Sequence, residues 1–205
     1  MPDDHHRASR LGLTALELLM ALVLLAIVSV KAYGAMNAAG QSNAQATREV
    51  VLEDQARRVL RQIAYAVMGA NRETLVPNFE QPFSAHDLQF QVHLGIQDGE
   101  VVWSDPEQVA LEELDHEVFW SQNPGAETER RVVWTRLVAP FLEGELPNGM
   151  DDNGNGLIDE KGLSFVVDRD AVTIRLTLER VTGDETIVNT VQTTVTCRNL
   201  PEPNE

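Results

Sequence analysis

From Leu13 to Met36 almost every position is apolar, and only Glu17, Lys31 and a few small polar residues interrupt the run. At about 1.5 Å of rise per residue, a helix of this length crosses a hydrocarbon core of roughly 30 Å. The pattern then changes. Between Gln45 and Met68 there is no proline, and Leu52, Ala56, Val59, Ile63 and Val67 recur at spacings of three and four. Glu53, Asp54, Arg57, Arg58 and Arg61 take the other faces, so the apolar stripe is wide enough to pack on a sheet. One helix is predicted from Leu13 to Met68, roughly 80 Å long. Its transmembrane half covers 13–36 and its amphipathic half 37–70. Gly69-Ala70-Asn71, with Pro77 beyond, is the expected stop. Gly34 and Gly40, near Ser42 and Asn43, mark the expected place for a bend or local unwinding.

After the helix the period falls to two. Residues 71–87 carry Pro77 and Pro82 and read as a connecting loop. Phe90, Val92, Leu94 and Ile96 alternate with polar residues or glycine, which predicts a half-buried strand. Asp98-Gly99 is a hairpin turn, and Val101-Val102-Trp103 returns from it. One or two short strands are expected in Val109–Trp120, a turn at Asn123-Pro124-Gly125, and strands at Arg131–Leu137 and Leu163–Val167. Two more follow, through Val172, Ile174, Leu176 and Leu178, then from Ile187 to Arg198. Consecutive hairpins imply an antiparallel sheet, for which the helix stripe supplies the cover. The fold class is therefore α+β, with a globular antiparallel β domain over 71–199 and a polar tail at 200–205. Trp103, Trp120 and Trp134 fall on predicted strands, where packing explains them better than a ligand box.

Charge narrows the function. The 205 residues hold 32 acidic against 16 basic side chains, for a net charge of −16 and a pI near 4.6. That balance excludes nucleic acid as a partner, because phosphate binding needs a basic face. Arg7 and Arg10 precede the apolar run while the long C-terminal part is acidic, so the N-terminus is expected in the cytoplasm. His5 and His6 sit together in this leader and carry no further metal pattern. With Cys197 as the single cysteine no disulfide can form within the chain, and its place in a strand-like run predicts a small buried hydrophobe.

Glu17 is the anomaly of the apolar segment. A carboxylate near the head of a membrane helix costs a few kcal/mol and marks a function with a partner. The stretch Gly12-Leu13-Thr14-Ala15-Leu16-Glu17, followed by its apolar run, resembles the N-terminal signal of type IV pilins and type II secretion pseudopilins. The resemblance is specific over residues 12–36 and extends more loosely over the rest. It differs from the family at Leu13, where phenylalanine is commonest, and at Ala15, where a larger apolar residue is usual. It implies that residues 1–12 are a leader removed by prepilin peptidase after Gly12, leaving Leu13 as a methylated N-terminus with Thr14 second. It also implies that Glu17 sets register by offering its charge to the α-amine of a neighbouring pilin or pseudopilin subunit within the inner membrane. Minor pseudopilins of J type and PilW-like minor pilins are the most similar members, and Arg198-Asn199 resembles the close of several of them. The β domain would then be periplasmic or part of an extracytoplasmic filament. Two other readings of the segment stay open. One is a plain signal anchor; the other is a secretory signal ending near Ala35 or Ala39.

A second signal lies in the loop 148–162. Asp151, Asn153 and Asn155 present oxygens at alternate positions, and Gly156 follows, as in the first half of an EF-hand-type Ca2+ loop. The carbonyl of Leu157 can add a ligand, and Ile158 is expected to anchor the loop to the core. Gly162 stands where an EF-hand has its closing glutamate, so Asp159 or Glu160 must supply that carboxylate. A solvated turn rich in Asn, Asp and Gly is the competing reading. The chain has no Gly-rich phosphate loop, no HExxH and no GxSxG, and His86, His93 and His116 lack ligand spacing, so no enzyme is expected. A structural filament subunit is the leading expectation; a membrane-tethered, calcium-dependent adhesion module is the alternative.

Overall fold

The structure, a computed structural model, describes residues 14–78, 84–183 and 185–197. It contains two compact units, residues 1–47 and 48–205. Gly12, Leu13, the leader, Arg198-Asn199 and the tail lie outside the described residues.

Helix α1 is assigned from Ala15 to Met68 without interruption at Gly34 or Gly40. The helix does not unwind there, because an exposed helical glycine costs only about 1 kcal/mol, too little to end a long run of good helix formers. Over 15–36 the helix is exposed and apolar. It is long and apolar enough to span a membrane, as a single-pass anchor requires.

In the second unit the stripe anticipated from the sequence turns inward. Leu52, Ala56, Val59, Ile63 and Val67 are buried, together with Leu60. Burying each larger side chain contributes about 1.5–3 kcal/mol. On the outer faces Arg57 pairs with Glu53 at 2.7 Å and Arg58 with Asp54 at 2.9 Å, four residues apart in both cases. The helix ends at Met68, and Gly69 does not adopt a left-handed conformation. Asn71 instead caps a short 3-10 turn, Arg72–Thr74, by accepting the Glu73 N–H at 3.0 Å.

Among the described residues ten strands follow, all paired antiparallel. β1 (Ser84–Ala85), β8 (Leu163–Asp168), β9 (Ala171–Thr182) and β10 (Glu185–Thr196) form one four-stranded sheet in that order. β2 (Asp87–Phe90), β5 (Glu107–Glu112), β6 (Glu117–Gln122) and β7 (Arg130–Thr135) form the second. β3 (His93–Gln97) and β4 (Glu100–Trp103) make a separate two-stranded ribbon. The α+β antiparallel layout is thus present, but as two sheets and a ribbon in place of the single sheet expected. Both four-stranded sheets contribute to one core with the helix stripe: Leu88, Phe90 and Val118 from one, Phe165, Ile174 and Leu176 from the other.

Two local expectations need correction. The strand expected through Phe90–Ile96 is broken, since Ser104 takes up the backbone of Val92: its N–H donates to the Val92 carbonyl, and its hydroxyl accepts the Val92 N–H. Phe90 stays in the core while Leu94 and Ile96 become exposed on the ribbon. The segment 71–87 is not all loop, because β1 falls within it and Val76 bridges to Gln89. Turns match their residues: Asp98 and Gly99 both take positive φ, as a tight two-residue hairpin requires. Cys197 is buried, and burial pushes its thiol pKa up. Trp120 and Trp134 pack against the core, and the Trp120 indole donates to Glu107 Oε2 at 2.8 Å.

Candidate functional site

Two places carry the candidate residues, one in each unit, and each is built from its own backbone. At the head of α1, Thr14 and Glu17 form a reciprocal cap. Thr14 Oγ1 accepts the Glu17 N–H at 3.3 Å, while Glu17 Oε2 accepts from the Thr14 N–H at 3.0 Å and from its hydroxyl at 3.1 Å. The spacing of three residues, threonine then glutamate, is that of a capping box. It satisfies two orphan donors of the first turn and places the carboxylate at the positive end of the helix dipole. The cap engages Oε2 and leaves the charge of Glu17 at the head of the apolar run.

In the β domain the loop 148–162 folds around its own side chains. Asp151 Oδ1 accepts the N–H groups of Gly154 (2.7 Å) and Asn155 (3.1 Å), and Oδ2 accepts that of Gly156 (2.7 Å). Asn153 Oδ1 accepts from Asn155 N at 3.0 Å, and Asn155 Oδ1 from Leu157 N at 2.9 Å. Asp159 ties the far end back, its carboxylate accepting the Asn148 and Gly149 N–H groups at 3.0–3.1 Å. Asp152 accepts from Leu146 N at 3.2 Å and Asn148 Nδ2 at 2.8 Å. Gly154 and Gly156 hold positive φ, which glycine adopts without strain.

Glu160 is the loop's foundation. It is buried, and its Oε1 accepts from Arg175 Nη1 at 2.7 Å and Ser164 Oγ at 2.9 Å. Its Oε2 faces the loop and accepts from the side-chain amides of Asn155 and, at 3.5 Å, Asn153. Ile158 does not anchor the loop. It is exposed, while Leu157 is half-buried and Glu160 takes the inward position.

The structure also accounts for the glycine at the twelfth position of the motif. A Cβ on Gly162 would stand 1.9 Å from the Ala139 carbonyl oxygen. No side chain fits there, so a closing glutamate is sterically barred from Gly162.

Nothing in the local pattern of residues singles out Glu145. It is buried, its Oε1 accepts the Asn153 N–H at 3.2 Å, and its Oε2 is buried with no hydrogen-bond partner. Glu117, another buried acid that sequence reasoning passed over, is held by Arg131 at 2.6 Å and Arg136 at 3.0 Å. Neither glutamate lies in a motif, and only the packing of distant strands and turns makes them buried.

Among the described residues no three His, Cys, Asp or Glu side chains stand together as a preformed metal cage. A cation at this loop would have to draw on amide and carbonyl oxygens beside the carboxylates, which is a ligand set calcium accepts. The three histidines stay apart: His86 faces Glu113 at 3.8 Å, His93 packs on Trp103 with ring centroids 5.9 Å apart, and His116 Nδ1 lies 3.1 Å from the Val138 carbonyl.

Compared with protein-family models, curated proteins and solved structures, the chain matches none.

Proposed function

We propose that this chain is a structural subunit of an inner-membrane filament, a minor pilin or minor pseudopilin serving a type IV pilus or type II secretion machine. The observation that carries the reading is one acidic residue, Glu17, at the head of a long exposed apolar helix whose distal half packs on an antiparallel β domain. Prepilin peptidase would cut between Gly12 and Leu13. The freed segment would then form the filament core, with Glu17 answering the α-amine of an adjoining subunit where a low dielectric strengthens the pair. The role is structural rather than catalytic. The loop 148–162 is read as a calcium-type loop that stiffens the extracytoplasmic domain through Asp151, Asn153, Asn155 and the Leu157 carbonyl.

A plain membrane tether carrying a calcium-dependent adhesion module is the second reading. It is favoured by the capping box, because Thr14 already gives Glu17 a local use. Glutamine also completes a capping box, so Glu17→Gln separates cap from charge. In membranes of the host, chemical cross-linking of the native chain should give adducts with other filament subunits. Both Glu17→Gln and Glu17→Ala should lose them. Adducts that survive in Glu17→Gln would leave the cap as the residue's whole role, and a native chain that gives no adducts with filament subunits would sink the assembly reading.

A further inference from the structure

Three acids are buried among the described residues, Glu117, Glu145 and Glu160. Two guanidinium groups hold Glu117, and one holds Glu160. No ion pair reaches Glu145, and its Oε2 accepts no hydrogen bond. A buried carboxylate left in this condition is strongly disfavoured unless a cation joins it, and buried charges are accordingly paired or bound to metal.

The position of Glu145 says which cation. The turn that bears it is strapped to the acidic loop: Leu142 N donates to the Glu160 carbonyl at 3.0 Å, Leu146 N to Asp152 at 3.2 Å, and Asn153 N to Glu145 itself at 3.2 Å. Gly144 takes a positive φ, which glycine adopts without strain, and its backbone lies beside Asn153. Glu145 and Glu160 Oε2 therefore flank the same residue, Asn153, one at its backbone and the other at its side-chain amide. Residues 142–162 contain no His or Cys and their one sulfur, on Met150, is on an exposed side chain, so the buried ligand atoms are hard oxygens. Hard oxygens from carboxylate, amide and carbonyl groups suit Ca2+; Mg2+ demands stricter octahedral geometry and keeps more of its waters.

We propose that Glu145 supplies the carboxylate that closes a calcium site over the 148–162 loop, in the role that the Gly162 position cannot fill. The proposal rests on the calcium reading of that loop and names its missing ligand. Glu145 and Glu160 provide the two inward charges, while Asn153, Asn155 and the Leu157 carbonyl provide the neutral oxygens. Asp151 adds its carboxylate while also accepting backbone N–H groups, and Asp152 and Asp159 hold the loop's backbone in shape.

The test uses the full chain in detergent, stripped with EGTA and then titrated with CaCl2 by calorimetry, with thermal melting in parallel. Native protein should bind one calcium and melt higher with it. Glu145→Gln, nearly the same shape without the charge, should bind at least tenfold more weakly. In EGTA it should melt at or above the native temperature, because an uncompensated charge has gone. Glu143→Gln, whose carboxylate engages Thr190 away from the loop, should bind as the native chain does. Glu145→Asp, which keeps the charge but withdraws it by one methylene, should weaken binding in the same direction. If Glu145→Gln and Glu145→Asp bind calcium like the native chain, Glu145 is not a ligand, and the loop reading survives without it. If the native chain binds no calcium, both readings fall.

Discussion

Arg175 holds Glu160 in place, and replacing it with methionine tests whether that contact supports the whole loop. The pair is close, Nη1 to Oε1 at 2.7 Å, with the Glu160 side chain 0% exposed and that of Arg175 21% exposed. Removing one partner of a buried pair strands the other charge and typically costs about 3–5 kcal/mol. Two compensations apply here. Ser164 Oγ and the Asn155 amide remain as donors to Glu160, and the partly exposed guanidinium was already screened by water. The expected loss is therefore at the low end, about 3 kcal/mol. At roughly 2–4 °C per kcal/mol for a domain of this size, Arg175→Met should melt about 6–12 °C lower. The assay is thermal unfolding followed by circular dichroism, on the full chain in detergent with calcium chelated. A second variant carries Glu160→Gln as well. It should recover a large part of the loss, because the stranded charge is then gone and only hydrogen bonds are missing. If Arg175→Met melts within about 2 °C of the native chain, less than 1 kcal/mol at this size, the ion pair does not support the loop and the reasoning fails.

Two further outcomes follow from the same packing. Gly162→Ala would place its methyl 1.9 Å from a backbone oxygen and should cost about 3 kcal/mol or more in urea unfolding, and a cost under about 1 kcal/mol would refute the close approach. The Glu113 carboxyl is held below its ordinary range, first by the hydrogen bond from Lys161 Nζ, against slight desolvation and with the Lys161 and His86 charges adding. A lowered carboxylate stabilises the fold above the unfolded value and loses that contribution as pH falls through the folded one. Lys161→Met should thus move the Glu113 titration upward by NMR, and any stability gap from the native chain should be present at neutral pH and close in acid; an unmoved titration would refute the assignment.

Much of this architecture is legible in the chain because local periodicity encodes it. The stripe Leu52, Ala56, Val59, Ile63 and Val67 reads at a spacing of three and four and is buried as expected. Leu60 escaped notice because Arg57, Arg58 and Arg61 surround it in sequence. Asp98-Gly99 marks a hairpin since few other residue pairs accept positive φ at both positions. The alternation through Phe90–Ile96 misled, because period two shows that a strand has two faces and not which sheet either face meets. Its break depends on Ser104, twelve residues beyond Val92. The loop showed its oxygens and glycines in order, and the structure folds them as a unit. The burial of Glu145 and Glu160 and the exclusion of a side chain at Gly162 arise from strands and turns that meet only in the folded chain.

The mass of the intact protein recovered from membranes that contain prepilin peptidase tests the central reading most directly. The account predicts a mature chain beginning at Leu13 with a methyl group on its α-amine. A chain that still begins at Met1, or one that begins near Ala35 or Ala39, would contradict it.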